Sequence, residues 1–184
     1  CSGNQTPTKI TIHHTESPND DPMSMPARLR QLQNYAMDVR GFCDIGFHFL
    51  VGQDGVVYQG RSERLVGAHA AGNNQDNVGV ALVGTFSSRA PSDAMLSATA
   101  KLLRAISSSY DVTLSAQTVK GHRDLNDTDC PGDSLYPTIA GLISLASANG
   151  NTTDPPTNPS SPSSGVYAGL TQGSAVIPHH AVAN

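Results

Sequence analysis

Two histidine-bearing segments hold the residue types that could do chemistry in this chain: Thr11-Ile12-His13-His14-Thr15, and the stretch Gly121-His122-Arg123-Asp124-Leu125-Asn126-Asp127-Thr128-Asp129-Cys130-Pro131-Gly132. His122 and Cys130 stand eight residues apart, with the hydroxyl of Thr128 two residues before the sulfur. His13, His122 and Cys130 together offer two imidazole nitrogens and one thiolate, a set suited to zinc with a fourth position left open. A metal held that way acidifies a water and polarises a carbonyl, so the pattern points to metal-assisted hydrolysis. More than a hundred residues separate His13 from His122. No short zinc motif has that spacing, so a packing role for each residue stands beside the ligand role. Asp124 is placed to orient His122 from behind, and Pro131-Gly132 is expected to turn the chain sharply after the cysteine.

A scaffold must bring these segments together, and the hydrophobic pattern supplies one. Residues 9–14 alternate and are β-branched, which predicts a strand with Ile10 and Ile12 on one face and Thr11 and His13 on the other. His14 falls on the isoleucine face and is expected to pack. Ser24 and an early Pro26 open a helix in which Leu29, Leu32, Ala36 and Val39 recur at helical spacing, and Gly41 closes it. Residues 48–51 and 56–59 flank Gln53-Asp54-Gly55, a hairpin signal. Residues 78–83 are almost continuously apolar and predict a central strand buried on both faces. Helices are expected at 92–110 and 136–146, and a short strand at Val119-Lys120 feeds His122. Strands and helices interleave, so the fold class is α/β, a mixed central β-sheet flanked by helices.

Length and composition set the bounds. The 184 residues suit one domain plus a tail. The expected division is a domain over 1–149, a Pro/Ser/Thr/Asn-rich linker over 150–164, and a tail over 165–184 that reads as the stub of a second module. A net charge of −4 offers no basic field for nucleic acid. No apolar run approaches the roughly 20 residues needed to span a bilayer. The three cysteines are an odd count. If Cys130 ligates metal, Cys1 and Cys43 remain as a pair, and three unrelated thiols are the alternative. A chain starting at Cys1 also fits a processed lipoprotein or a fragment of a longer precursor.

Read together, these stretches resemble the superfamily of peptidoglycan recognition proteins and zinc-dependent N-acetylmuramoyl-L-alanine amidases. The resemblance rests on Ile12-His13-His14-Thr15, on residues 43–52 (CDIGFHFLVG), 54–61 (DGVVYQGR), 67–70 (GAHA) and 77–86 (NVGVALVGTF), and on Gly121-His122-Arg123-Asp124 with Cys130-Pro131-Gly132. It implies Zn2+ held by His13, His122 and Cys130, and hydrolysis of the amide between N-acetylmuramic acid and L-alanine in cell-wall peptidoglycan. Thr128 falls where some members carry a catalytic threonine and others a lysine, placed to hydrogen-bond the oxyanion. A loop-capping role is its alternative. Phe47 departs from the pattern, because active members usually have tyrosine there and phenylalanine supplies no hydrogen bond. Tyr58, Asp129 and His48 are candidates to replace that donor, and a catalytically weakened recognition module is the competing function.

The resemblance further implies substrate contacts from His48, Arg61, His69 and Asn77, and a Cys1–Cys43 disulfide. A tryptophan-containing N-terminal segment usual in the superfamily is absent, so Cys1 is expected to be internal to a longer precursor. A secreted, periplasmic or cell-wall-associated monomer acting on peptidoglycan follows from the same resemblance, without nucleic acid or a membrane span.

Overall fold

The computed structural model describes residues 1–148 and the backbone of a three-residue strand at Ser174–Val176. In chain order the elements are β1 (Lys9–His14), α1 (Met25–Asn34), β2 (Phe49–Val51), β3 (Val57–Gln59), β4 (Asn77–Leu82), α2 (Asp93–Tyr110), β5 (Val119–Gly121), α3 (Ile139–Ala148) and β6 (Ser174–Val176). One mixed sheet runs β5-β1-β4-β2-β3-β6. The linker expected at 150–164 lies outside the described residues, as does the tail at 165–184 apart from β6. That strand extends the same sheet, pairing parallel with β3.

Alternation in β1 decides which side of the sheet does chemistry. Ile10 and Ile12 face a core completed by Val78, Val80 and Leu82 of β4, by Leu102, Leu103 and Ile106 of α2, and by Leu142 of α3. Thr11 and His13 point to the other face, where α1 packs through Leu29 onto Ile45, Leu50, Tyr58 and Val83. Every residue of β4 is buried, as a parallel strand covered on both faces requires. The hairpin forms in the register Leu50↔Tyr58. Ser92 caps α2 by accepting the Met95 N–H at 3.3 Å.

The helix expected to run to Gly41 departs from its pattern. α1 ends at Asn34 and continues as a π turn over Tyr35–Val39, closed by the Arg40 N–H on the Tyr35 carbonyl at 3.1 Å. A π turn inserts one residue into the helical period, so side chains beyond it rotate off the buried stripe. Leu29 is fully buried, whereas Val39 is 66% exposed. The displaced segment becomes a wall of the candidate site.

A disulfide joins Cys1 to Cys43 with the Cα atoms 5.1 Å apart, tying the segment before β1 to the loop that carries Phe47. Among the described residues no helix is long and apolar enough to cross a membrane.

Two stability measurements check this architecture. Leu29→Ala is expected to cost about 2–5 kcal/mol in denaturant unfolding, and Val39→Ala to stay within about 0.5 kcal/mol; comparable losses would contradict the π-turn slip. The disulfide closes a separation of 42 residues. Paired serine substitution of Cys1 and Cys43 is therefore expected to lower stability by up to about 4 kcal/mol.

Candidate metal centre and its groove

His13 and His122 meet because their strands are neighbours. β1 and β5 run parallel in the register Ile12↔Gly121, so the next residue in each chain is a histidine at the same end of the sheet: His13, still within β1, and His122, just past the end of β5. Their rings lie 4.5 Å apart between centroids. A single 3-10 turn over His122–Asp124 redirects the chain after β5. The loop then folds back until the Arg123 N–H reaches the Cys130 carbonyl at 2.9 Å. Arg123 also pairs with Asp133 at 2.8 Å and lies over the Tyr136 ring, bracing the loop from outside.

Gly132 completes the expected sharp turn. It sits at φ +95°, and a Cβ there would come within 2.4 Å of the Phe86 carbonyl, so no other residue fits without displacing backbone. Asp124 acts differently from the sequence expectation. Its carboxylate accepts the Gly121 N–H at 2.8 Å and the Tyr136 hydroxyl at 2.5 Å, so it holds backbone rather than the His122 ring.

The ligand atoms of His13, His122 and Cys130 all lie within 4.8 Å of one another. Cys130 Sγ stands 3.6 Å from His13 Nδ1. A tetrahedral zinc with typical Zn–N and Zn–S bonds sets an N···S edge of about 3.6 Å, so that pair already has the required spacing. The donor types and their convergence fit zinc, and the remaining side opens to the groove.

Electrostatics prepares the imidazoles and resists the thiolate. Burial, reinforced by His69 and His122, holds His13 well below the usual histidine range. His122 is lowered by burial, with the Asn126 side chain pulling the other way. Both rings are therefore neutral near pH 7 and can donate lone pairs. Burial pushes the Cys130 thiol up to about 12, although the His14 N–H, 3.4 Å from the sulfur, works against it. A cation beside the sulfur reverses that penalty.

The three candidate ligands sit in a groove of about 710 Å³. The π-turn side contributes Leu32, Tyr35, Ala36, Arg40 and Phe42, and the far side contributes Asn126, Asp127 and Thr128. Thr128 Oγ1 accepts the Cys130 N–H at 3.2 Å, the loop-capping bond, while its own proton stays available to the groove. Phe47 also lines the groove, its ring 5.1 Å from that of His13. The proposed substitutes for the missing tyrosine do not line it. The Tyr58 hydroxyl is bound to Asp54 at 2.9 Å, His48 is buried on the Leu65 carbonyl at 2.9 Å, and Asp129 is outside the lining.

Of the four residues expected to touch substrate, only His69 lines the groove. His48 and Asn77 are fully buried. Arg61 is buried too, and donates to the carbonyls of Asp44, Ile45 and Val66. Asn77 is held by Thr11 and Asn73. None of the three lines the groove in this structure, and each has its polar atoms engaged inside the protein. The groove residues that sequence reasoning missed, Tyr35, Arg40 and Phe42, lie on or just after the π turn, which leaves no periodic signature.

Fold and site define a member of the N-acetylmuramoyl-L-alanine amidase family, and the chain belongs to it: the family's sequence profile matches residues 3–133. Over 130 residues it is 38% identical to the human protein named N-acetylmuramoyl-L-alanine amidase, covering 69% of this chain but only 23% of that one. Against peptidoglycan-recognition protein SD of Drosophila melanogaster it is 35% identical over 138 residues, covering 72% of this chain and 71% of the relative. A solved tyrosine-to-phenylalanine mutant of Drosophila PGRP-LB, in complex with tracheal cytotoxin, superposes with a TM-score of 0.68. That pair is 34% identical, over 76% of this chain and 83% of the other.

Zinc binding gives the check on this electrostatic account. With both imidazoles neutral and only the Cys130 proton to displace, the zinc Kd is expected to fall about tenfold per pH unit between about pH 6 and 7, below the range in which a zinc-bound water would itself ionise. Proton release on titration should be about one per ion. A slope near two would show that a histidine is protonated in the metal-free protein.

Proposed function

We propose that the protein is a zinc-dependent N-acetylmuramoyl-L-alanine amidase that hydrolyses peptidoglycan outside a reducing cytosol. The observation that carries this reading is the convergence of His13, His122 and Cys130 on the groove floor with one side open. Zinc bound there would supply Lewis acidity, making a water nucleophilic near pH 7 and polarising the scissile carbonyl. The chain's own residues do the positioning. The groove holds glycan and stem peptide between the π-turn wall and the 126–128 loop. Thr128, fixed through Oγ1 by the Cys130 N–H, turns its proton towards the oxygen that gains charge. The Cys1–Cys43 disulfide supports an oxidising location. The family includes proteins named as amidases and others named as recognition proteins.

A second reading, peptidoglycan recognition with little or no turnover, is favoured by one observation. Phe47 stands against His13 without a hydroxyl, and the groove-lining tyrosine, Tyr35, belongs to the π turn. A tyrosine-to-phenylalanine mutant of PGRP-LB was solved in complex with tracheal cytotoxin, so loss of one tyrosine hydroxyl is compatible with ligand binding in that relative. The donor set speaks for the enzyme, since a binding module has no need of a thiolate facing an open position.

Digestion of purified sacculi separates the two. The zinc-loaded protein is expected to release free L-alanine amino termini, and retained sacculus binding without release would establish the recognition reading. Phe47→Tyr is expected to raise kcat, by up to roughly 10²–10³-fold if the new hydroxyl acts as one oxyanion donor. An unchanged rate would show that another group already serves.

A further inference from the structure

His69 occupies a place the amidase reading alone does not explain. It lines the groove, yet both ring nitrogens are turned into the protein. Nδ1 lies 3.0 Å from His13 Nε2, and Nε2 lies 3.1 Å from the Asn77 carbonyl oxygen. The two rings meet nearly edge to face, 5.0 Å apart between centroids. Nothing about this contact is loose. A Cβ on Gly67 or on Gly79 would stand 2.6 Å from His69 Cδ2, so two glycines, one of them in the central strand β4, leave the space the ring fills. Asn74 Oδ1 accepts the N–H groups of His69 and Ala70 at 2.9 and 2.8 Å, fixing the main chain that carries the ring.

The hydrogen-bond roles follow from the end of the chain of contacts. A carbonyl oxygen can only accept, so His69 Nε2 carries the proton given to Asn77. In a neutral ring Nδ1 is then a bare lone pair, and it can only accept. His13 Nε2 must therefore donate to it, which leaves His13 Nδ1 unprotonated. That nitrogen is the one 3.6 Å from Cys130 Sγ. We propose that His69 is a positioning residue that sets the tautomer and ring orientation of His13, through a relay from the Asn77 carbonyl, so that His13 presents Nδ1 to a metal. The proposal rests on the metal-binding reading of His13, His122 and Cys130, and it is independent of whether the bound ion turns over substrate. It also explains why a histidine on the groove floor has no free nitrogen for substrate.

Long-range ¹H–¹⁵N correlation spectra of the metal-free wild-type protein test the relay without any substitution. His13 and His69 are both expected as Nε2–H tautomers, and a proton on His13 Nδ1 would overturn the proposal. Zinc affinity, measured by competition with a chelator, supplies the second readout. His69→Leu removes the acceptor and is expected to weaken zinc binding by roughly 10–100-fold, the usual effect of losing a partner behind a ligand. His69→Asn keeps an acceptor oxygen near the position of Nδ1 and is expected to restore most of that loss. Equal zinc affinity in wild type and in a folded His69→Leu protein would overturn the assignment. A protein with the expected tautomers and zinc affinity that released nothing from sacculi would defeat the amidase reading and leave this one standing.

Discussion

Parallel pairing of β1 with β5 is the constraint on which the site depends. The register Ile12↔Gly121 sets the last paired residues of the two strands side by side, and the next residue in each chain is a histidine, His13 within β1 and His122 just after β5. A slip of one residue would turn His13 to the isoleucine face and break the donor set, since side chains alternate with a period of two. The buried apolar set Ile10, Ile12, Val78 and Val80 holds that register, so the core and the candidate metal centre are fixed by the same strand. Only the third donor needs a loop, and that loop is bound at both ends by Arg123, Asp124 and the close approach of Gly132 to Phe86.

Burial sets the chemistry of the donors in opposite senses. It keeps His13 neutral and ready, and it raises the thiol of Cys130 far above its ordinary range. A buried neutral imidazole costs little when its outward nitrogen has a partner, and His69 is that partner. A buried thiolate is unfavourable without a cation. The candidate donors are thus asymmetric: the imidazole nitrogens carry free lone pairs from the start, and the sulfur could ligate only as its proton leaves.

Much of this was legible in the sequence, and the failures have physical causes. β-Branched alternation in residues 9–14 and the apolar run in 78–83 located the central strands, because a strand buried on one or both faces has little freedom of pattern. The His13, His122 and Cys130 set was visible as donor chemistry, but its convergence required strand order, which periodicity does not encode. Arg61 and Asn77 were expected to contact substrate and are buried, each satisfied by partners distant in sequence. His69 was legible as a groove residue but not as a partner of His13, since that contact crosses 56 positions. Val39 misled because an inserted π turn shifts the helical phase without changing composition.

On the proposed function, the chain would hold a zinc ion through two imidazoles and one thiolate with a fourth position open to the groove. X-ray absorption at the zinc edge of the metal-loaded protein tests it directly. The account predicts one sulfur at about 2.3 Å and two histidine nitrogens at about 2.0–2.1 Å, with one further light ligand that exchanges with added small anions. A shell without sulfur, or one closed by four protein ligands, would contradict it.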